Sequence, residues 1–440
     1  MKVKTFKQGI HPAYNKELTA GKALQKAKDP AQVVIPLQQN IGAPCEPLVK
    51  VGDQVKVGQK IGESQSFVSA PIHSSISGVV KAIREVEVGT GRKTLAVIIE
   101  SDGQNTLHED VKPKGDLDSL SGDEIREIIR EAGIVGMGGA MFPTHVKLSV
   151  PEGKTVDTVI LNGAECEPYL TVDHRIMIEH PEEVVYGLKA LMKVLNVNKG
   201  YIGIEDNKSD AIEAMIKATE NEPEIEVVPL ETKYPQGGEK MLITAVTGRE
   251  VPSGGLPADA GCVVNNVTTA YAIAKAIKTG MPLIERPVTI TGRGIKEPKN
   301  LMVKIGTSVA ELIEQAGGFK GKPGKVILGG PMMGISAHNI DVPVLKGTSG
   351  ILVLTADEVE DFEPRPCIRC ARCVDVCPVF LMPVTLANYA QHDMFAELEN
   401  YNVLDCIECG SCSYICPAKR PLLHYIRLGK AEVLAQRRKK

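Results

Sequence analysis

A cysteine pattern that occurs twice constrains this chain more than any other feature. Cys367, Cys370, Cys373 and Cys377, followed by Pro378, read C-x2-C-x2-C-x3-C-P, and Cys406, Cys409, Cys412 and Cys416, followed by Pro417, repeat that spacing without change. Three thiolates at two-residue intervals on a tight loop can face one iron–sulfur cube, and a fourth from further along completes the set. Four thiolates also suit structural zinc, but zinc ribbons pair two C-x2-C units across a long gap and lack the third evenly spaced thiolate and the trailing proline. Eight of the 11 cysteines are used in this way. Cys45, Cys166 and Cys262 stand alone, and a lone cysteine is usually a small buried hydrophobe.

In two-cluster ferredoxins the fourth cysteine of each run serves the other cluster. The expectation is therefore one four-iron, four-sulfur (4Fe-4S) cluster on Cys367, Cys370, Cys373 and Cys416, and a second on Cys406, Cys409, Cys412 and Cys377. The stretch 378–405 between the runs is too long for a minimal ferredoxin turn and is partly helical in pattern. Residues 356–440 thus read as an α-helical ferredoxin-like double-cluster domain, entered through an acidic, proline-containing linker at 358–366.

At 440 residues the chain is too long for one core, and three further modules precede the cysteines. Residues 1–115 are rich in Val, Ile, Gly and Pro with repeated turn signals, which predicts short strands and hairpins. Their V-x-x-G-D-x-V-x-x-G-x-x-I-G string resembles the biotinyl and lipoyl barrel-sandwich family, although the lysine that such carriers modify has no counterpart in the stretch 65–73. Residues 116–282 alternate strand and helix, beginning with a helix at 123–132 capped by Ser121 and Glu124, and predict a Rossmann-like parallel sheet with its ligand site beyond the strand carboxyl ends. Residues 283–355 return to strands around one helix, capped by Ser308 and Glu311, and fit a β-grasp (SLBB) domain. The fold class is multidomain α/β. A net charge of -3, with 4% aromatics and no Trp, gives no reason to expect nucleic acid. No apolar run is long enough to span a membrane and the N-terminus lacks a signal-peptide core, so membrane attachment is expected only through a partner. The basic tail at 436–440 reads as a solvated end.

A second chemical signal is the loop Gly136-Met-Gly138-Gly139-Ala140-Met-Phe142-Pro143, with Lys147 beyond it, whose glycines let the backbone approach a flat or anionic ligand. It is neither a Walker loop nor a G-x-G-x-x-G turn. Further strings follow in order: Asn162-Gly-Ala164-Glu165-Cys166-Glu167-Pro168, Asp173-His-Arg175, Tyr234-Pro-Gln-Gly237-Gly238-Glu239, and Val264-Asn265-Asn266-Val267-Thr268-Thr269. This series resembles the flavin and NADH domain of the NADH-binding subunit of respiratory complex I. With the flanking modules included, nearly the whole chain resembles the RnfC family, a component of Rnf complexes, which are ion-pumping NADH:ferredoxin oxidoreductases of bacterial membranes.

The resemblance implies FMN, NAD(H) and two 4Fe-4S clusters as cofactors. It implies that Gly136, Gly138 and Gly139 line the flavin, that Lys147 and Asn162 hold its phosphate or ring edge, and that Asn265, Asn266 and Thr269 contact its ribityl-phosphate side. Phe142 and Glu167 would face the nicotinamide nucleotide, with Glu165, Tyr234 and Glu239 completing the site. Ala164 and Gly238 replace acidic residues of the complex I strings. Implied partners are the integral membrane and ferredoxin-like subunits of the same complex, ferredoxin and NADH, at the cytoplasmic face of the membrane. The cobalamin reductase of propanediol-utilising microcompartments shares this domain order and is the alternative enzyme; a non-catalytic relay or scaffold is the alternative of another class.

Overall fold

In the computed structural model, which describes residues 2–359 and 363–439, short apolar strands between Gly and Pro turns build the first module. Strands Gln32–Pro36, Gln54–Val55, Gly78–Glu87 and Lys93–Ser101 form one antiparallel sheet, and Glu46–Pro47, Lys60–Glu63 and Ile72–His73 form a second. Period-two alternation sends Val33, Ile35, Val97 and Ile99 into a shared core with Leu37, Ile61 and Val80. The hairpin tip, where lipoyl-type carriers hold their lysine, is tied down on both sides. Ala43 N–H donates to the Val68 carbonyl at 2.9 Å, and His145 Nε2 donates to the Phe67 carbonyl at 3.2 Å.

The second module holds four parallel strands in the spatial order Ile225–Leu230, Gly200–Glu205, Thr158–Asn162, Cys262–Asn266. Val159 and Leu161 enter a core with Ile129, Val184, Leu188 and Ile273, whereas Ile160 enters another with Leu242 and Ile243. Both faces of the sheet are therefore covered by helices, as the near-continuous apolar strands require. The capping box at Ser121 and Glu124 forms, and its helix spans Gly122–Glu131. Helix Val172–Glu179 was not foreseen from the sequence.

The β-grasp module contributes strands Glu285–Thr291, Lys299–Lys304, Pro323–Leu328, Ile335–Ala337 and Gly350–Thr355, with helix Val309–Gln315. Leu24–Lys26 adds to this sheet, parallel to Lys299–Lys304. Upstream of it, Lys4 bridges to Leu230 and Ile10 to Tyr234, so the N-terminal segment runs along the second module before the barrel sandwich begins at Gln32. The cap expected at Ser308 does not form. The helix's first N–H groups, on Val309 and Ala310, instead donate to the carbonyls of Val342 and Ile340 at 2.9 and 3.0 Å, so backbone from another segment takes over part of the cap's role.

The last module is helical, with Pro383–Gln391, Phe395–Asn400 and Leu422–Lys439 packed around Leu386, Leu398, Leu422, Ile426 and Val433. Residues 436–439 of the basic tail form the end of the last helix, where Arg437 pairs with Glu399 at 2.7 Å; residue 440 lies outside the described residues. Of the acidic linker, residues 360–362 lie outside the described residues. Among the described residues no helix is long and apolar enough to cross a membrane.

Candidate functional site

Strand order reverses between Thr158–Asn162 and Cys262–Asn266: the chain adds two strands on one side and then returns to place the fourth on the other. The crevice beyond the carboxyl ends of strands at such a point is where open α/β sheets bind ligands. Asn162 and Asn266 sit there as register partners.

The glycine loop closes over this crevice. Gly136 N–H donates to the Phe142 carbonyl at 2.9 Å, Met141 N–H to the Gly136 carbonyl at 3.1 Å, and Met137 N–H to Thr269 Oγ1 at 2.9 Å. The last bond pins the loop to the first turn of helix Val267–Thr279. Gly138, Gly139 and Ala140 are exposed at the tip. Gly139 has φ +110°, where a side chain is strained, and a Cβ on Gly138 would touch Asn266. Phe142 is half-buried at the end of the loop.

Asn266 and Thr269 build the floor of the site. Asn266 Oδ1 accepts from the N–H groups of Thr268 and Thr269 at 3.0 and 3.3 Å, capping the helix, while Asn266 Nδ2 and Thr268 Oγ1 donate to Asp173 at 2.7 and 2.6 Å. Asn162 Nδ2 donates to the Gly237 carbonyl at 2.8 Å. Lys147 Nζ donates to Glu239 Oε1 at 2.8 Å and to the Val264 carbonyl at 2.9 Å, and so lies between the loop and the strand end.

Two buried side chains here lack protein partners. Asn265 is 4% exposed with Nδ2 unbonded, and Gln236, next to Gly237, is fully buried with neither amide atom bonded. An unpaired buried polar group costs about 1–3 kcal/mol. A ligand edge carrying carbonyl and N–H groups would satisfy them, as the rim of a flavin ring does, and the open glycine tip suits a flat group. The residues present therefore fit FMN. Gln236 was not singled out from the sequence, although it lies inside the Tyr234–Gly237 string.

Arg286 was also missed. Its guanidinium is buried behind the glycine loop, donating to the carbonyls of Met137 at 3.3 Å, Pro287 at 3.1 Å and Lys346. Burial lowers its pKa to about 10, with Asp173 opposing, so it stays charged at neutral pH.

Glu165, Glu167 and Tyr234 bond to segments other than the glycine loop. The Glu165 carboxylate accepts from the N–H groups of Asp173 and His174 at 2.8 and 3.1 Å and caps helix Val172–Glu179. Burial pushes it up to about 7 against the pull of Lys16. Lys16 donates to the carbonyls of Glu165, Glu167 and Leu170 at 2.8, 2.9 and 2.6 Å. Both oxygens of Glu167 are engaged by the N–H groups of Met332 and Met333 at 3.1 and 2.8 Å, in the β-grasp module, and burial raises its pKa.

Tyr234, 1% exposed, donates its hydroxyl to the Cys409 carbonyl at 2.8 Å. It shares a small core with Cys166, Cys409 and Ile407. The neighbouring contacts run the same way: Asp405 accepts from Ser253 and from Gly254 N–H at 2.9 Å and lies 3.6 Å from Lys240, and Gly9 N–H donates to the Val376 carbonyl at 3.2 Å. A Cβ at Gly238 would crowd the Pro235 carbonyl oxygen at 3.0 Å and come into ordinary contact with Ile407 at 3.6 Å, which places this turn against the cysteine module. The cysteine module is thereby seated on the nucleotide module beside the switch-point crevice.

Cys377, Cys406, Cys409 and Cys412 line one pocket with Val379, Leu381, Leu386 and Ile426. Burial pushes the Cys412 thiol up to about 12 and Cys406 to about 11, with Cys409 and Cys377 adding to both. Cys377 is raised by burial and feels Cys409 more than Cys373. Cys373 is raised by burial, with Cys416 and Cys367 adding. Cys377 thus lies in the same pocket as Cys406, Cys409 and Cys412, while the thiols felt by Cys373 are those of Cys416 and Cys367. Among the described residues no three His, Cys, Asp or Glu side chains converge on a single-ion site. Four thiols bordering an apolar space suit a multi-iron cube, whose charge would hold as thiolates the thiols that burial otherwise keeps protonated. Cys370 and Cys367 are exposed, whereas Cys377, Cys409 and Cys412 are buried. The three solitary cysteines are all buried, and Cys166 Sγ accepts from Gly237 N–H at 3.2 Å.

Four family models match in sequence order: the RnfC barrel sandwich hybrid domain at 4–104, the Nuo51 FMN-binding domain at 129–275, the SLBB domain at 287–336 and the 4Fe-4S dicluster domain at 361–417. The chain is 54% identical over 99% of its length to the C component of the Na(+)-translocating ferredoxin:NAD(+) oxidoreductase complex of Acetobacterium woodii, covering 98% of that protein. It is 53% identical over 98% of its length to the proton-translocating counterpart of Clostridium ljungdahlii, covering 94% of it. It is 44% identical over 87% of its length to the C component of the ion-translocating oxidoreductase complex of Rhodobacter capsulatus, covering 74% of it. A solved NAD+-reducing [NiFe]-hydrogenase in the air-oxidized state superposes with a TM-score of 0.49 at 17% identity, over 75% of this chain and 69% of that one. With its barrel-sandwich, flavin, SLBB and dicluster modules in that order, the chain belongs to the RnfC family of ion-translocating ferredoxin:NAD+ oxidoreductase (Rnf) complexes and is an electron-transfer component of that kind.

Proposed function

We propose that this chain carries electrons between NADH and a ferredoxin-type carrier as a peripheral member of a membrane-bound, ion-translocating complex, at its cytoplasmic face and held there by integral membrane and ferredoxin-like subunits. FMN at the crevice supplies the exchange between a two-electron hydride donor and one-electron iron–sulfur acceptors. In this reading Gly136, Gly138 and Gly139 give the backbone its close approach, and Asn265 and Gln236 spend their free amide groups on the ligand. Lys147 supplies positive charge for the phosphate end, offset in part by its partner Glu239. Asn162, Asn266 and Thr269 act through the backbone they hold. The inner cluster belongs to Cys377, Cys406, Cys409 and Cys412, the outer to Cys367, Cys370, Cys373 and Cys416, and the modules divide at 1–115, 116–282, 283–355 and 356–440.

The single observation carrying this reading is the seating of the inner cysteine set against the switch-point module through Tyr234 and Cys409. Protein purified without oxygen tests it. NADH is expected to bleach the bound flavin in both the unaltered chain and Cys412→Ser, while electron delivery to an added ferredoxin falls at least ten-fold in the variant, about 1.4 kcal/mol on the barrier. Delivery that persists at the unaltered rate with cysteines of both sets substituted would overturn it.

A further inference from the structure

The two cysteine sets differ in their surroundings. The inner set is closed in by Tyr234, Gly9 and the β-grasp loop at Met332. At the outer set Cys367 and Cys370 are exposed, and Ile368 between them is 68% exposed. Arg365, Arg369 and Arg372 are exposed on the same stretch. Arg365 N–H donates to the Ala418 carbonyl at 2.9 Å, which lays this stretch beside the turn that follows Cys416. Arg420, on that turn, reaches only the neutral amides of Asn388 and Gln391, at 3.1 and 2.8 Å. Tyr414, exposed, rides on helix Ser411–Tyr414, which packs against helix Arg372–Asp375.

Elsewhere in this module Arg427 and Arg437 are neutralised by Glu408 and Glu399. Among the described residues Arg365, Arg369, Arg372 and Arg420 have no carboxylate partner. Glu363 and Asp375, with Glu360 and Asp361 earlier in the sequence, offset part of their charge, and the four guanidiniums stand out on a chain whose net charge is -3. Unpaired arginines around an exposed aliphatic and an exposed tyrosine have the composition of a protein interface rather than of ordinary surface. Charge of one sign around a small apolar centre gives fast, weak, salt-sensitive encounter, as suits carriers that must dock and leave.

We propose that this arginine rim docks an acidic, one-electron iron–sulfur carrier over the outer cluster. The proposal rests on the electron-transfer reading above and adds the surface and the charge of the partner. The test uses the full chain, prepared without oxygen, with a purified acidic two-cluster ferredoxin as probe and basic cytochrome c as the opposite-charge control. Binding of ferredoxin, measured directly and therefore independent of NADH, is expected to weaken about ten-fold between low salt and ~200 mM salt. The double substitution Arg365→Glu and Arg372→Glu is expected to slow NADH-driven ferredoxin reduction about ten-fold at low salt, with bleaching of the flavin by NADH unchanged. Glutamine at both positions should fall between. Salt-independent binding, an unaltered rate in the charge-reversed variant, or preference for the basic protein would each overturn the proposal. Should charge reversal cost the outer cluster its paramagnetic signal, the salt titration of the unaltered chain decides. A chain whose flavin NADH never reduces would defeat the electron-transfer reading alone, because the binding arm still reports on the rim.

Discussion

Removing one oxygen atom tests the junction between the nucleotide and cysteine modules. Tyr234→Phe keeps the ring in its core with Cys166 and Ile407 and deletes only the hydroxyl that donates to the Cys409 carbonyl at 2.8 Å. No cavity opens, so the cost is the bond itself plus the desolvation of a carbonyl on a residue that is 8% exposed. A net hydrogen bond contributes about 0.5–1.5 kcal/mol and an orphaned buried carbonyl costs about 1–3 kcal/mol, which places Tyr234→Phe near 1–3 kcal/mol for seating the module. Tyr234→Ala should cost more, about 3–5 kcal/mol, because the ring's packing is lost as well. Denaturant melts of the oxygen-free holoprotein, followed by the iron–sulfur absorbance, read the cysteine module separately from the rest, as a multidomain chain requires. Electron passage from flavin to cluster should slow alongside, with the rate of flavin reduction by NADH retained. A cluster-module transition within about 0.5 kcal/mol of the unaltered chain, the range of an ordinary surface change, would refute the reasoning.

Three other outcomes follow from the contacts above. Cys416→Ser should abolish the paramagnetic signal of the Cys367, Cys370 and Cys373 cluster and leave that of Cys377, Cys406, Cys409 and Cys412; the reverse pattern would show that the sets do not cross. Asn266→Ala loses a helix cap and a hydrogen bond to the half-buried Asp173, and should cost about 1–3 kcal/mol and lower FMN retention on gel filtration. Lys346 Nζ donates to the carbonyls of Pro71 and Gly133 at 2.8 and 2.6 Å, where burial lowers its pKa to about 7. Unfolded lysine titrates near ~10.4, so the unfolded chain binds the extra proton between these values and the folded state gains stability as pH rises from 7 toward 10. The cost of Lys346→Met should therefore grow across that window in thermal melts; a constant difference would contradict the burial argument.

Much of this architecture was legible because its signals are local. Cysteine spacing, the strand and helix alternation after Ser121, and the glycine loop are each written within a dozen residues. What escaped depends on contacts between distant segments. Helix Val172–Glu179 is capped by the Glu165 carboxylate rather than by a neighbouring Ser or Asp, so no local start signal marks it. The opposite error occurred at Ser308, where a cap-like sequence was displaced by backbone carbonyls of Val342 and Ile340. Leu24–Lys26 looked like part of the first module because pairing with Lys299–Lys304 leaves no trace in a strand of three residues.

At the site, sequence reasoning named the strings but not which way each side chain turns. Asn265 and Lys147 lie at the crevice, while Glu167 and Tyr234 hold neighbouring modules. Arg286 and Lys346 drew no attention because long cations are rarely buried. Only the fold shows that Lys346 sits where three modules meet, that Arg286 sits between two, and that several carbonyls surround each.

The most direct measurement of the central claim is an anaerobic NADH titration of the full chain, with iron, sulfide and FMN quantified beforehand. Flavin absorbance should bleach, and after reduction low-temperature paramagnetic resonance should carry the split signals of two neighbouring four-iron clusters. Zinc in place of iron, or a flavin that NADH leaves oxidised with both clusters intact, would contradict the account.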